Sequence, residues 1–96
     1  MYSITLQDAP ADIPEKARQE AERRFQRTLE RTLGGPDAVL AAYQAWAAAE
    51  DTTADEMKPE DVALAKKWIA AAGRARDDAF QQMGETEAWF EVRIEQ

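Results

Sequence analysis

Six carboxylates crowd one stretch of the chain, Glu50, Asp51, Asp55, Glu56, Glu60 and Asp61, and oxygen donors of this kind are what calcium takes as ligands. Their spacing does not fit an EF-hand loop, which sets oxygen ligands at alternate positions around a central glycine. Paired carboxylates also work as general acid and base, but only in a cleft that moves their pKa values. Three helices with two short strands are expected to offer little cleft. Gly34-Gly35-Pro36 precedes a helix N-terminus, a place where phosphate binds. It lacks the Lys-Ser/Thr of a P-loop and follows a helix instead of a strand, so it reads as a helix-helix turn. The chain contains neither cysteine nor histidine, which removes thiol nucleophiles, disulfides, Cys/His zinc sites and all imidazole chemistry. No catalytic residue, metal or cofactor is expected, and the protein reads as a non-enzyme.

Binding is the remaining class of function, and charge is its first clue. Twelve basic against nineteen acidic residues give a net charge of −7, which disfavours attraction to phosphate backbones. The charge is also segregated: residues 13–33 carry six basic and four acidic side chains, and residues 34–64 one basic and seven acidic. Arg23 and Arg27, with Lys16 and Arg31, form a basic face that can meet an acidic partner or nucleic acid. Glu20 and Glu30 interrupt that stripe, and i,i+4 pairs such as Glu20 with Arg24 account for it as a solvated surface.

The elements that position these residues are read from periodicity and punctuation. At 96 residues the chain is one domain, 1–96. Tyr2, Ile4 and Leu6 alternate with Ser3 and Thr5, the period-2 pattern of a half-buried strand. Asp12-Ile13-Pro14-Glu15 opens a first helix near residue 13, with Asp12 as the capping acceptor. This helix runs to Leu33 and stops at Gly34-Gly35, where Pro36 opens a second helix to about residue 50. Lys58-Pro59-Glu60-Asp61 opens a third, the longest, to about Met83 and Gly84. Phe90, Val92 and Ile94 then alternate with Glu91, Arg93 and Glu95 as a second strand. The expected fold is α+β and mainly α: a three-helix bundle flanked by short terminal strands that pair, in the order β-α-α-α-β. If each helix reverses the chain, the two strands run parallel.

The helix faces name the core and the candidate surfaces. On the first helix Ala17, Ala21, Phe25, Thr28, Leu29 and Thr32 share the buried arc. The second has Val39, Leu40, Tyr43, Trp46 and Ala47 on one face. Small residues, among them Ala41, Ala45 and Ala48, occupy the other, and alanine there lets another helix approach closely. The third lines up Ala65, Trp68, Ile69, Ala72, Ala79, Phe80 and Met83, with Arg76 among them. The tryptophans Trp46 and Trp68 read as core anchors. Trp89 shares the parity of Glu91 and Arg93, out of phase with the apolar face, so an exposed aromatic beside the second strand is a candidate hot spot.

Three functional readings follow. The first is a small non-catalytic interaction module, with Ala41, Ala45, Ala48, Asp51, Asp55, Glu56 and Trp89 as its surface, binding another protein or a second copy of itself. Two strands alone are marginal in water, so the sheet lies on the helices or is extended by another chain. The second is an acidic mimic of nucleic acid that blocks a basic DNA- or RNA-handling protein. The third is weak nucleic-acid binding through Arg23 and Arg27. Twenty alanines suggest a GC-rich bacterial or phage coding sequence. The overall type is similar in composition to immunity proteins, antitoxins, phage-encoded inhibitors and accessory proteins of mobile elements. With no run of roughly 18 apolar residues and no signal-peptide pattern at the N-terminus, a cytoplasmic location and no membrane contact are expected.

Overall fold

A computed structural model describes residues 2–49, 56–81 and 87–94. The order is β1 (Tyr2–Gln7), α1 (Glu15–Leu33), α2 (Pro36–Ala49), α3 (Pro59–Ala79) and β2 (Trp89–Ile94), so the expected β-α-α-α-β fold is the observed one. Among the described residues no helix is long and apolar enough to cross a membrane.

Each boundary has a local cause. Gly34 takes the left-handed conformation (φ 108°) that closes α1, and its amide and that of Gly35 both donate to the Glu30 carbonyl, at 2.9 and 2.8 Å. Glycine carries no Cβ penalty in that region. Pro36 then opens α2, and the Gly35 carbonyl accepts from the Val39 amide at 3.0 Å. Pro59 sits at the first position of α3 with Glu60 and Asp61 in its first turn, where carboxylates complement the helix dipole. The start of α1 differs from expectation. Its N-cap is Pro14, no side chain caps it, and Asp12 is exposed, because the chain first closes a turn from the Ile13 amide to the Pro10 carbonyl. α3 ends at Ala79, with Phe80 as its cap; Met83 and Gly84 lie outside the described residues.

The strands pair antiparallel, with Tyr2 opposite Ile94, Ile4 opposite Val92 and Leu6 opposite Phe90. This corrects the parallel pairing expected from counting reversals. Thr28 bonds Asp78, while Thr32 and Leu33 border the same surface hollow as Lys67, Ala70 and Arg74, so α1 runs antiparallel to α3 along its C-terminal half. Ala48 at the end of α2 borders a groove with Met57, Asp61 and Leu64, so α2 covers the N-terminal half of α3 in the same sense as α1. The two glycines therefore bend the path sideways without turning it back, and one of the assumed reversals is missing.

The core lies where α1 and α2 meet α3 under the sheet. Tyr2, Ile4, Phe25, Leu29, Val39, Ala42, Trp68, Ala71, Ala75 and Ala79 form one buried cluster, and Leu6, Phe80 and Ala88 another. Alanine at 71, 75 and 79 lets two helices approach α3 closely. Two expectations change. Ile69 is 59% exposed, because the buried arc of α3 is centred on Trp68, Ala71 and Ala75, and Ile69 lies a third of a turn away from Trp68. On α1 Thr32 is exposed and Ala17 half-buried, while Ala21, Phe25, Thr28 and Leu29 are buried.

Candidate binding cleft

Most of the aromatic residues gather where α1, α2, α3 and β2 meet. Tyr43 lies edge-on to Trp68 (centroids 5.2 Å apart, 67° between planes), and Trp46 is 5.8 Å from Tyr43 and 6.2 Å from Trp68. A second stack runs from Phe25 to Phe90 (4.1 Å) and on to Phe80 (5.1 Å), with the Arg76 guanidinium 5.4 Å from the Phe80 ring centroid. Between the two groups opens a cleft of about 440 Å³, bordered also by Ala72, Gly73, Trp89, Glu91 and Val92. Open, mostly aromatic concavities with a few polar groups at the rim are the usual form of binding sites. Gly73 leaves part of the wall bare: a Cβ built there meets nothing within 4 Å.

The sheet forms one side of this cleft, and its two edges differ. On the β1 edge the Leu6 amide donates to Glu22 Oε2 (2.8 Å), and Arg18 Nη2 donates to the Leu6 carbonyl (3.2 Å), with Arg18 Nε 3.6 Å from the same carboxylate oxygen. Side chains of α1 thus engage that edge at Leu6. Because Leu6 aims both backbone groups away from β2, Leu6 and Phe90 form a non-hydrogen-bonded pair, and so, by alternation, do Ile4 with Val92 and Tyr2 with Ile94. The N–H and C=O groups of Phe90, Val92 and Ile94 therefore point out of the free edge of β2. No hydrogen bond among the described residues engages them there.

The residues singled out in the sequence fall on different surfaces. Trp89 is exposed to 47%, as its parity predicts, and borders the aromatic cleft; its Nε1 donates to Asp8 Oδ2 at 2.7 Å. Ala41, Ala45 and Ala48 border a separate groove of about 530 Å³ with Glu56, Met57 and Lys58, on the opposite side of α2 from Tyr43 and Trp46. Ala41 and Ala48 are exposed, whereas Ala45 is buried, so packing within the chain accounts for it. Glu56 is exposed; Asp51 and Asp55 lie outside the described residues. Arg23 and Arg27 are exposed on α1, and Glu20 pairs with Arg24 at 3.3 Å as expected. Among the described residues no cluster of three metal-ligating side chains occurs.

The cleft itself escaped the sequence reading. Two signals point to it: Tyr43 and Trp46 at i,i+3 on a helix otherwise rich in alanine, and Gly73 inside α3 where no turn is needed. The Tyr2 side chain is electrostatically perturbed. The Tyr2 hydroxyl donates to Glu30 Oε2 at 3.1 Å, and burial, together with the negative charge of Glu30, pushes the phenol up to about 12. It lies on β1, away from the cleft, and holds the strand to α1. Compared with known proteins, the chain matches no family model, no curated protein and no solved structure.

Proposed function

We propose that this chain is a non-catalytic protein-interaction module that takes an extended, apolar segment of a partner along the free edge of β2, with the segment's side chains in the aromatic cleft. The observation that supports this reading is the juxtaposition of the two: unengaged backbone groups of Phe90, Val92 and Ile94 run beside a cleft lined by Tyr43, Trp46, Trp68 and Phe90. Strand addition draws affinity from main-chain hydrogen bonds and specificity from pockets for alternate side chains. A cleft lined by Trp and Tyr supplies the residue types that dominate binding energy.

Selection from a displayed library of unstructured peptides tests this reading. Wild-type protein is expected to enrich peptides with alternating apolar residues, with little loss on raising the salt. Gly73→Leu, which fills the cleft, and Val92→Pro, which removes an outward amide and leaves the β1–β2 ladder intact, should each abolish enrichment while keeping the far-UV circular dichroism. No enrichment, or enrichment that survives both substitutions, overturns it. Peptides that are basic and released by salt would instead favour the acidic nucleic-acid mimic.

A further inference from the structure

The free edge of β2 is complementary to itself. Its outward backbone groups belong to Phe90, Val92 and Ile94, and its solvent-side residues Glu91 and Arg93 carry opposite charges. When two such edges meet antiparallel about a two-fold axis, two registers overlap five residues. An axis at Glu91 sets Glu91 against its own copy, and like charges directly opposite are destabilising. An axis at Val92 sets Glu91 of each chain opposite Arg93 of the other, twice by symmetry, with Phe90 opposite Ile94 on the apolar face. In that register the Val92 pair and both Phe90–Ile94 pairs are hydrogen-bonded pairs, so every outward group is used. Within one chain Arg93 Nη2 lies 3.7 Å from Glu91 Oε2, which also accepts from Gln7 Nε2 at 3.1 Å, and the Arg93 side chain is 72% exposed, so Arg93 can swing across the axis to the Glu91 of the second copy.

We propose that a second copy of this chain is an occupant of the β2 edge, forming a two-fold dimer with a continuous four-stranded sheet β1-β2-β2-β1 in the Val92 register. The inference rests on the β2 edge being the binding edge, as the module reading holds. The opposite edge is less suited to the same role, because Glu22 and Arg18 already engage Leu6 there. A two-fold pairing uses the same edge of both chains, so the contact closes on itself and does not propagate.

Sedimentation velocity over a concentration series up to the millimolar range tests the proposal on the full chain. Wild type is expected to show a monomer–dimer equilibrium. Glu91→Arg alone and Arg93→Glu alone should each weaken it by about tenfold or more, since each turns two attractive pairs into repulsive ones. An equimolar mixture of the two variants should regain association as a one-to-one heterodimer, read by native mass spectrometry, and the double variant E91R/R93E should dimerise like wild type. These substitutions lie on the solvent face of the strand, and circular dichroism checks that they fold. A wild-type monomer at every concentration, or a dimer indifferent to both reversals, overturns the proposal. The same preparations enter the peptide selection, so the two ideas fail separately. Because the second copy and a partner segment compete for one edge, the selection is read on the monomeric Glu91→Arg and Arg93→Glu variants as well. A monomer that selects β2-dependent peptides while the wild type never dimerises removes only the dimer, and a charge-dependent dimer whose monomeric variants select none removes only the partner-segment reading.

Discussion

Trp89 Nε1 donates to Asp8 Oδ2 at 2.7 Å across the open end of the sheet, while Asp8 itself holds a left-handed backbone (φ 57°). Aspartate tolerates that conformation better than most residues. The bond fixes an indole that solvent would otherwise leave free to rotate, and an anchor already ordered before binding loses less entropy when it meets a partner. Asp8→Ala is therefore expected to cost about 1 kcal/mol in urea unfolding and to weaken peptide capture. Of the three tryptophan indole N–H resonances in a nitrogen-15 correlation spectrum, one should shift and exchange faster. Three unmoved resonances would dissociate Trp89 from Asp8 in solution.

Gly73 separates stability from binding. Glycine inside a helix costs about 1 kcal/mol relative to alanine, and a Cβ at this position meets nothing within 4 Å. Gly73→Ala should stabilise the fold by roughly that amount and leave binding weaker or unchanged. Gly73→Leu should hold stability near wild type and remove binding. If Gly73→Ala destabilises instead, α3 is not a regular open helix at this point.

The strands, the proline starts of α2 and α3 and the glycine stop of α1 were legible because each rests on a rule that one or two residues satisfy locally. Trp89 was legible for the same reason: parity along β2 decides which face it takes. Ile69, Ala45 and the strand direction were not, because each depends on which element lies alongside. The arc that α3 buries is set by two helices that share it, and Ala45 is buried because α2 follows the N-terminal half of α3. Strand direction turned on whether two glycines reverse the chain or bend it, and composition is the same in either case. The cleft joins residues from four elements, Phe25, Tyr43, Trp68 and Phe90 among them, so no single helical or strand period outlines it.

Tyr2 makes stability depend on alkaline pH. Its phenol ionises near 10 in the unfolded chain and at about 12 in the fold, so between these values the unfolded state holds fewer protons and stability falls as pH rises. The contribution is complete below pH 10 and lost through pH 12. Up to about 2 kcal/mol is at stake. Tyr2→Phe should remove this step from a plot of stability against pH, at a cost near neutrality from the lost bond to Glu30. An identical alkaline slope in the variant would assign it to another group.

Thr28 is the buried polar residue that ties α1 to α3. It is 2% exposed, and its hydroxyl donates to Asp78 Oδ2 at 2.7 Å, a bond strengthened by the charge on its acceptor. Thr28→Val keeps the shape and removes the donor, leaving Asp78 with an unpaired oxygen in a half-buried site. The expected loss is about 1–2 kcal/mol. Thr28→Ser keeps the hydroxyl and should lose less, mainly the packing of one methyl group. A cycle with Asp78→Asn distinguishes bond from packing: if the pair acts as the geometry implies, the double variant Thr28→Val/Asp78→Asn loses less than the sum of the two single losses. Strict additivity would mean that α1 is held on α3 by Phe25, Leu29 and the alanine seam alone, with the polar bridge contributing nothing measurable.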